Sequence, residues 1–211
     1  MTGRIAATPV EVYLDALASD APTPGGGAVA ALAGASGAAL ISMVCNLTIG
    51  RKGYEEAEER MLGVLNVAEA TRTVLLELAD RDAAAFGSVM AAFAMPKETD
   101  ADKAVRSQAI QEGYEAAATV PLEIAKRAAE LMELAREATE IGNANASSDG
   151  ASAAQVLSAS VWAATYNVEI NAAALKHPAK AQALRDEVSA LRANTAALLD
   201  ATNAAFSSRI G

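Results

Sequence analysis

Residues Ala21–Gly50 read A-P-T-P-G-G-G-A-V-A-A-L-A-G-A-S-G-A-A-L-I-S-M-V-C-N-L-T-I-G, and no charged side chain stands between Asp20 and Arg51. A stretch of this kind is either a membrane span or a helix enclosed by protein. Its apolar character comes mostly from Ala, Gly and Ser, which gain far less from lipid than Leu or Ile do. The expectation is therefore a buried helix from about Ala28 to Ile49. The Pro- and Gly-rich entrance at Pro22 to Gly27 disfavours regular structure and lets another group approach the main chain closely.

Composition points the same way. Of 211 residues, 52% are hydrophobic and only 4% aromatic, a balance owed to Ala that suits closely packed helices better than sheets. The expected fold class is all-α, a single-domain helical bundle with long antiparallel helices over residues 1–211. A net charge of −9 repels nucleic acid phosphates and anionic membranes, so neither is expected as a partner. Cys45 is the only cysteine and cannot form an internal disulfide. The opening Met1-Thr2-Gly3-Arg4-Ile5 has no apolar run of signal-peptide type, and the expected location is cytoplasmic. His177 is the only histidine, which disfavours a multi-His zinc site and a Ser-His-Asp triad within one chain. No dense Asp/Glu loop signals a hard cation, so no metal is expected.

Along the chain, Thr8-Pro9-Val10-Glu11 reads as a capped helix start, with Thr8 as cap, Pro9 first in the helix and Glu11 closing a capping box. A short amphipathic helix follows to about Ala18, with Val10, Tyr13, Leu14 and Leu17 on its apolar face. Gly50-Arg51-Lys52-Gly53 reads as the exit turn of the uncharged helix. From Tyr54 to Met95 apolar residues recur at three- and four-residue spacings, as one long rod or two helices meeting at a kink, and Pro96 ends the pattern. Two further helices are expected over Thr99–Thr119 and Pro121–Ile141, the second burying Leu122, Ala125, Ala129, Met132 and Ala135, with Gly142 as C-cap. After the polar segment Gly142–Gly150 comes a second weakly charged helix to about Leu175. A last helix over about Pro178–Ser207 carries Leu184, Val188, Leu191 and Leu198, with Thr195 and Thr202 completing the stripe, for use within the bundle or at a dimer seam.

Helical spacing puts Asp82 in line with Leu75, Leu78, Phe86 and Val89, where a carboxylate costs free energy unless it is paired or hydrogen-bonded. It reads either as a general base or counter-charge to a cationic substrate, or as a structural partner of an Arg or a helix end. Asp149, just before a helix, reads as a cap that is also compatible with ligand contact. Glu169, alone in its helix, has the same two readings as Asp82 or points to water. Asn46, Asn143, Asn145, Asn167 and Asn171 are suited to heterocycle edges or to buried backbone groups at helix ends. Arg51 and Lys52 bind a carboxylate tail or cap carbonyls. Cys45 reads as a small buried hydrophobe. The Gly25-Gly26-Gly27 loop lacks the P-loop pattern and is a weak nucleotide signal.

In combination, A-P-T-P-G-G-G at Ala21–Gly27, M-V-C-N-L-T-I-G-R-K at Met43–Lys52, D-x-x-A-F at Asp82–Phe86 and G-N-A-N-A-S-S-D at Gly142–Asp149 resemble the cyclodeaminase/cyclohydrolase family of folate enzymes. P-K-E-T at Pro96–Thr99 and V-P-L at Val120–Leu122 extend the resemblance over nearly the whole chain, while Gly53 departs from it where a further Lys is usual. The resemblance implies an all-helical homodimer acting on the one-carbon bridge of a tetrahydrofolate substrate, with no separate cofactor. The implied activity is methenyltetrahydrofolate cyclohydrolase, which M-V-C-N-L-T-I-G resembles more closely. The alternatives are ammonia release by a formimidoyltetrahydrofolate cyclodeaminase and, from another class, a non-enzymatic dimerisation scaffold. Under the first, Asp82 or Asp149 orients and deprotonates water and Lys52 is an alternative proton-transfer group. Thr23, Pro24, Gly25, Gly26, Gly27, Asn46, Arg51, Asn143, Asn145, Ser148 and Asn171 line the substrate, with the Gly142–Gly150 loop facing the Gly-rich entrance.

Overall fold

The structure, a computed structural model, describes residues 4–210; the opening Met1–Gly3, part of the stretch read for leader character, lies outside them. Among the described residues there is no strand, and six α-helices follow one another: α1 (Val10–Leu17), α2 (Gly26–Asn46), α3 (Glu58–Phe93), α4 (Asp100–Ile141), α5 (Ser147–Ala173) and α6 (Pro178–Ile210). The last five form the bundle. Contacts give the directions: Gly27 meets Asp82 and Gly34 meets Leu75, so α2 and α3 are antiparallel. Arg60 and Arg81 pair with Glu137 and Glu123, which runs α4 against α3. Gly37 meets Leu157, running α5 against α2, and Arg192 reaches back to Glu169, running α6 against α5.

The uncharged helix α2 lies between α3 and α5, and the buried reading of it holds. Twelve of its 21 residues are buried, mainly Ala and Gly. It is long and apolar enough to cross a membrane by length and composition, yet the face that includes Ala30, Ala31, Ala38, Ile41 and Val44 is closed over by protein. The core around it holds Leu75, Leu78, Ile124, Leu131, Met132 and Leu157, all fully buried, each contributing about 1.5–3 kcal/mol by removal from water. Small residues set the helix spacing. A Cβ on Gly37 would lie 2.6 Å from Leu157 Cγ and 3.3 Å from the Ala153 carbonyl oxygen. Gly37→Ala is therefore expected to lose up to about 2 kcal/mol, an overpacking cost of about 1–3 less a helix-propensity gain of about 1. A lower urea midpoint at unchanged slope would show it; an unchanged or raised midpoint would contradict the close-contact account.

Several sequence expectations are corrected. The first helix starts at Val10 with Pro9 at its cap position and no side-chain cap, because the Thr8 hydroxyl donates to the Arg4 carbonyl instead. Its Val10 and Leu14 are 74% and 52% exposed, so Tyr13 alone of the expected face is buried. The uncharged helix runs from Gly26 to Asn46 rather than Ala28 to Ile49, and its exit turn is closed by Gly50 and Gly53 at φ 71° and 89°, a region favouring glycine. The rod expected from Tyr54 is one unbroken helix of 36 residues after a 3-10 turn at Glu55–Ala57.

The largest correction is at Pro121. The two helices expected there are one 42-residue helix, started by a capping box between Thr99 and Asp102. Proline has no N–H to give the Ala117 carbonyl four residues back. The Asn171 Nδ2 of α5 donates to that carbonyl at 3.0 Å and replaces the missing bond. Ser147–Gly150, expected in the polar loop, form the first turn of α5, so Asp149 is a first-turn residue beyond the Ala146 cap and makes no capping bond. In α6 the stripe packs into the bundle: Val188, Thr195 and Thr202 are buried, and the Thr202 hydroxyl donates to the Leu198 carbonyl.

Candidate active site

The sequence-predicted residues fall at the two ends of α2, about 30 Å apart at 1.5 Å per residue. The N-terminal end gathers Thr23, Pro24, Gly25, Gly26 and Gly27 with Asp82 of α3, and with Asn167 and Asn171 of α5. The C-terminal end gathers Asn46, Arg51, Lys52, Asn143, Asn145, Ser148 and Asp149. Within one chain, therefore, the Gly142–Gly150 loop does not face the Gly-rich entrance, contrary to the expectation from sequence. Asn143 ties that loop to the opposite end, its N–H donating to Thr48 Oγ1 at 2.8 Å and its Nδ2 to the Leu47 carbonyl at 2.9 Å.

At the N-terminal end the glycines shape the centre. A Cβ on Gly27 would overlap the Asp82 carboxylate, so the absence of a side chain there is what lets the carboxylate sit against the first turn of α2. The early N–H groups of a helix lack intrahelical partners, and the aligned peptide dipoles favour negative charge beside them. Burial pushes the Asp82 carboxyl above its ordinary value, and the Ala28 N–H pulls it back down. Among the described residues no cation pairs with it: its neighbour Arg81 is taken by Glu123, and Asp80 by Arg4. Of the structural alternatives, an Arg partner is therefore absent from the described residues, while a helix-end contact is present. On the other side of the same turn the Asn167 amide lies against Gly26, with Nδ2 3.0 Å from where a Cβ would stand. Asn171, expected to touch substrate, gives its Nδ2 to the carbonyls of Ala117 and Asn167.

The C-terminal centre divides between structure and surface. Asn143 is buried and its amide is bonded at both ends, its Oδ1 also accepting from the Asn145 N–H at 3.1 Å. The Ala144 N–H donates to the Tyr54 hydroxyl, fastening the loop to the chain after α2. Asn46, Arg51, Lys52, Asn145 and Ser148 are exposed, and Asp149 is half-buried. A cavity of about 390 Å³ beside them is lined by Gly53, Tyr54, Glu56, Ala57, Ile141 and Arg209. Arg209 also donates to the Gly142 carbonyl. Sequence reasoning assigned Arg209 no role, since nothing in its spacing shows that α6 returns to this end. Glu169, left open between a buried charge and a solvated one, is bidentate with Arg192 at 2.8 and 2.9 Å. The Arg192 guanidinium also stacks over Trp162 and Tyr166. Cys45 is fully buried and its thiol is pushed up to about 11, in keeping with a packing role.

Residues 9–190 match the formiminotransferase-cyclodeaminase family. The chain belongs to that family. One relative is the methenyltetrahydrofolate cyclohydrolase of Methylorubrum extorquens, 44% identical over 189 residues, covering 90% of this chain and 91% of the relative. The formimidoyltransferase-cyclodeaminase of Sus scrofa is 36% identical over 183 residues, which cover 87% of this chain but 34% of that longer protein. The crystal structure of formiminotetrahydrofolate cyclodeaminase from Thermotoga maritima superposes with a TM-score of 0.88 at 28% identity, covering 98% of this chain and all of that one. The motif resemblance is borne out at the level of the family, and with it the all-helical fold.

Proposed function

We propose that the chain is a methenyltetrahydrofolate cyclohydrolase, converting 5,10-methenyltetrahydrofolate and water to 10-formyltetrahydrofolate and a proton. The observation that carries the proposal is Asp82, an unpaired carboxylate held above its ordinary range against a glycine-bared helix start. The bridging carbon of the substrate belongs to a cationic amidinium and is already electrophilic. What the protein must add is a positioned water, a base and a proton for N5. Asp82 takes a proton from water as its oxygen bonds to the bridging carbon, and its charge offsets that of the amidinium. The tetrahedral adduct then collapses: the C–N5 bond breaks, N5 takes a proton, and the formyl group stays on N10. A base held above the usual carboxylate range is better matched to neutral pH than an ordinary Asp.

Lys52 is the proposed proton source, and it lies at the other end of α2 within one protomer. A homodimer removes the difficulty. The outer face of α2 and its C-cap leave Val29, Met43 and Leu47 exposed on a helix without charge. Beside it an apolar groove of about 400 Å³ runs between α1, α2 and α3. Pairing this face with its own copy about a two-fold axis across the helix sets the N-terminal end of one α2 beside the C-terminal end of the other. Asp82 of one protomer then shares a site with the cationic end of the second, and the cytoplasmic placement expected from the lone cysteine and the opening residues belongs to the same proposal.

Loss of the methenyltetrahydrofolate absorbance on adding purified protein, corrected for spontaneous hydrolysis, is the direct assay. The Thermotoga maritima likeness favours a second reading, ammonia release from formimidoyltetrahydrofolate. Preferential turnover of that substrate would establish the second reading and remove the first. For the shared site, Asp82→Asn and Lys52→Ala are each expected to lose about 100-fold. Mixing the two after subunit exchange should restore about a quarter of parental activity, since half the dimers are mixed and each mixed dimer holds one intact site. Absence of complementation in confirmed mixed dimers would confine the site to one chain.

A further inference from the structure

We propose that Asn167 is a specificity-determining residue whose carboxamide reads the edge of the substrate's fused ring; the inference rests on the folate reading of the site. The Asn167 Nδ2 donates to the Ala163 carbonyl at 2.9 Å. Only the NH2 group of a carboxamide donates, so this bond fixes the orientation of the amide and sets Oδ1 on its other side. Among the described residues Oδ1 accepts no hydrogen bond, and one N–H of Nδ2 remains free. The same amide lies so close to Gly26 that a Cβ there would stand 3.0 Å from Nδ2 and 3.7 Å from Oδ1.

An acceptor, a donor and the unpaired main-chain donors of a helix start are therefore set side by side, with Asp82 across the same turn. One turn beyond Asn167 stands Ile170, 70% exposed, giving the polar edge an apolar flank. The matching ligand is a flat heterocycle whose rim alternates N–H and carbonyl groups, as the amide and amino edge of a pterin does. Asn171, on the same face one turn on, does not do this, because its Nδ2 gives both hydrogen bonds to main-chain carbonyls of the protein. The ring is bound alike in substrate and transition state, so Asn167 acts on KM rather than on kcat.

The test uses the parent, Asn167→Ala and the near-isosteric Asn167→Leu. It measures steady-state hydrolysis of methenyltetrahydrofolate, calorimetric binding of unsubstituted tetrahydrofolate, and thermal melting. Expected are a KM and a tetrahydrofolate Kd raised about tenfold in both variants, kcat within about threefold of the parent, and melting of the Leu variant unchanged. Variants that keep KM and Kd within about twofold of the parent overturn the inference, as does a loss confined to melting temperature or to kcat. A parent that binds tetrahydrofolate but does not hydrolyse the methenyl compound removes the cyclohydrolase reading, while the Kd comparison still decides Asn167. A parent that binds no tetrahydrofolate overturns both.

Discussion

Asp82→Asn is expected to lower kcat by about 100-fold or more while leaving the fold intact. Asparagine keeps the shape of the side chain and an oxygen for the α2 N-terminus, but cannot take a proton from water. The same variant reports on stability with a defined sign. Burial holds the folded-state carboxyl above its unfolded value. Between those two values the folded chain keeps a proton that the unfolded chain has released, so stability falls as pH rises through that window. Removing the ionisable group removes this loss. Asp82→Asn should therefore melt at or above the parent at neutral pH, and the difference should shrink as pH is lowered. For the parent, the acidic limb of kcat/KM should lie above the ordinary carboxylate range and should vanish from the residual rate of the variant. A variant with normal kinetics would dismiss Asp82 as the base.

Gly27→Ala should be nearly as damaging, although it adds only a methyl group. That methyl occupies the place of the Asp82 carboxylate. What gives way is the free end of a side chain rather than backbone, so the helix stays formed, and Ala is favoured over Gly within it by up to about 1 kcal/mol. The expected result is a folded protein with the carboxylate displaced and turnover reduced by about 100-fold. The double variant with Asp82→Asn should be no worse than either alone, because both remove one function. A Gly27→Ala enzyme with parental kcat would show that the carboxylate works from somewhere else.

Much of this architecture was legible in the residues, and the failures have identifiable causes. The absence of charge between Asp20 and Arg51 was enough to enclose α2, and three- and four-residue spacings sufficed for α3. At Thr8 the side chain turned back to Arg4 rather than forward to the helix, a competition between local bonds that a cap motif does not resolve. Pro121 was read as a boundary because the donor that rescues its helix lies 50 residues away in sequence, at Asn171. That single misreading has a topological cost. In an up-and-down bundle every extra helix reverses the end at which the next loop emerges. Splitting α4 in two returns Gly142–Gly150 to the glycine entrance, whereas the unbroken helix delivers it to Leu47 and Thr48. The motifs were identified, but their distribution between two ends was not. Asn167 and Asn171 share a helical face, and only their partners separate an amide that keeps one N–H open from one that gives both to main-chain carbonyls.

Pro121 and Asn171 are expected to be inherited together, because the asparagine supplies the donor that the proline lacks. With proline alone, the Ala117 carbonyl is left without a donor; with asparagine alone, its amide must find another acceptor beside a helix that has closed its own bond. Losing the asparagine first strands the buried Ala117 carbonyl at about 1–3 kcal/mol, whereas losing the proline first leaves the half-buried amide its bond to the Asn167 carbonyl and makes it dispensable. Drift at these two positions should therefore be locked in step, and a chain of this family that loses the proline is expected to have released the asparagine as well.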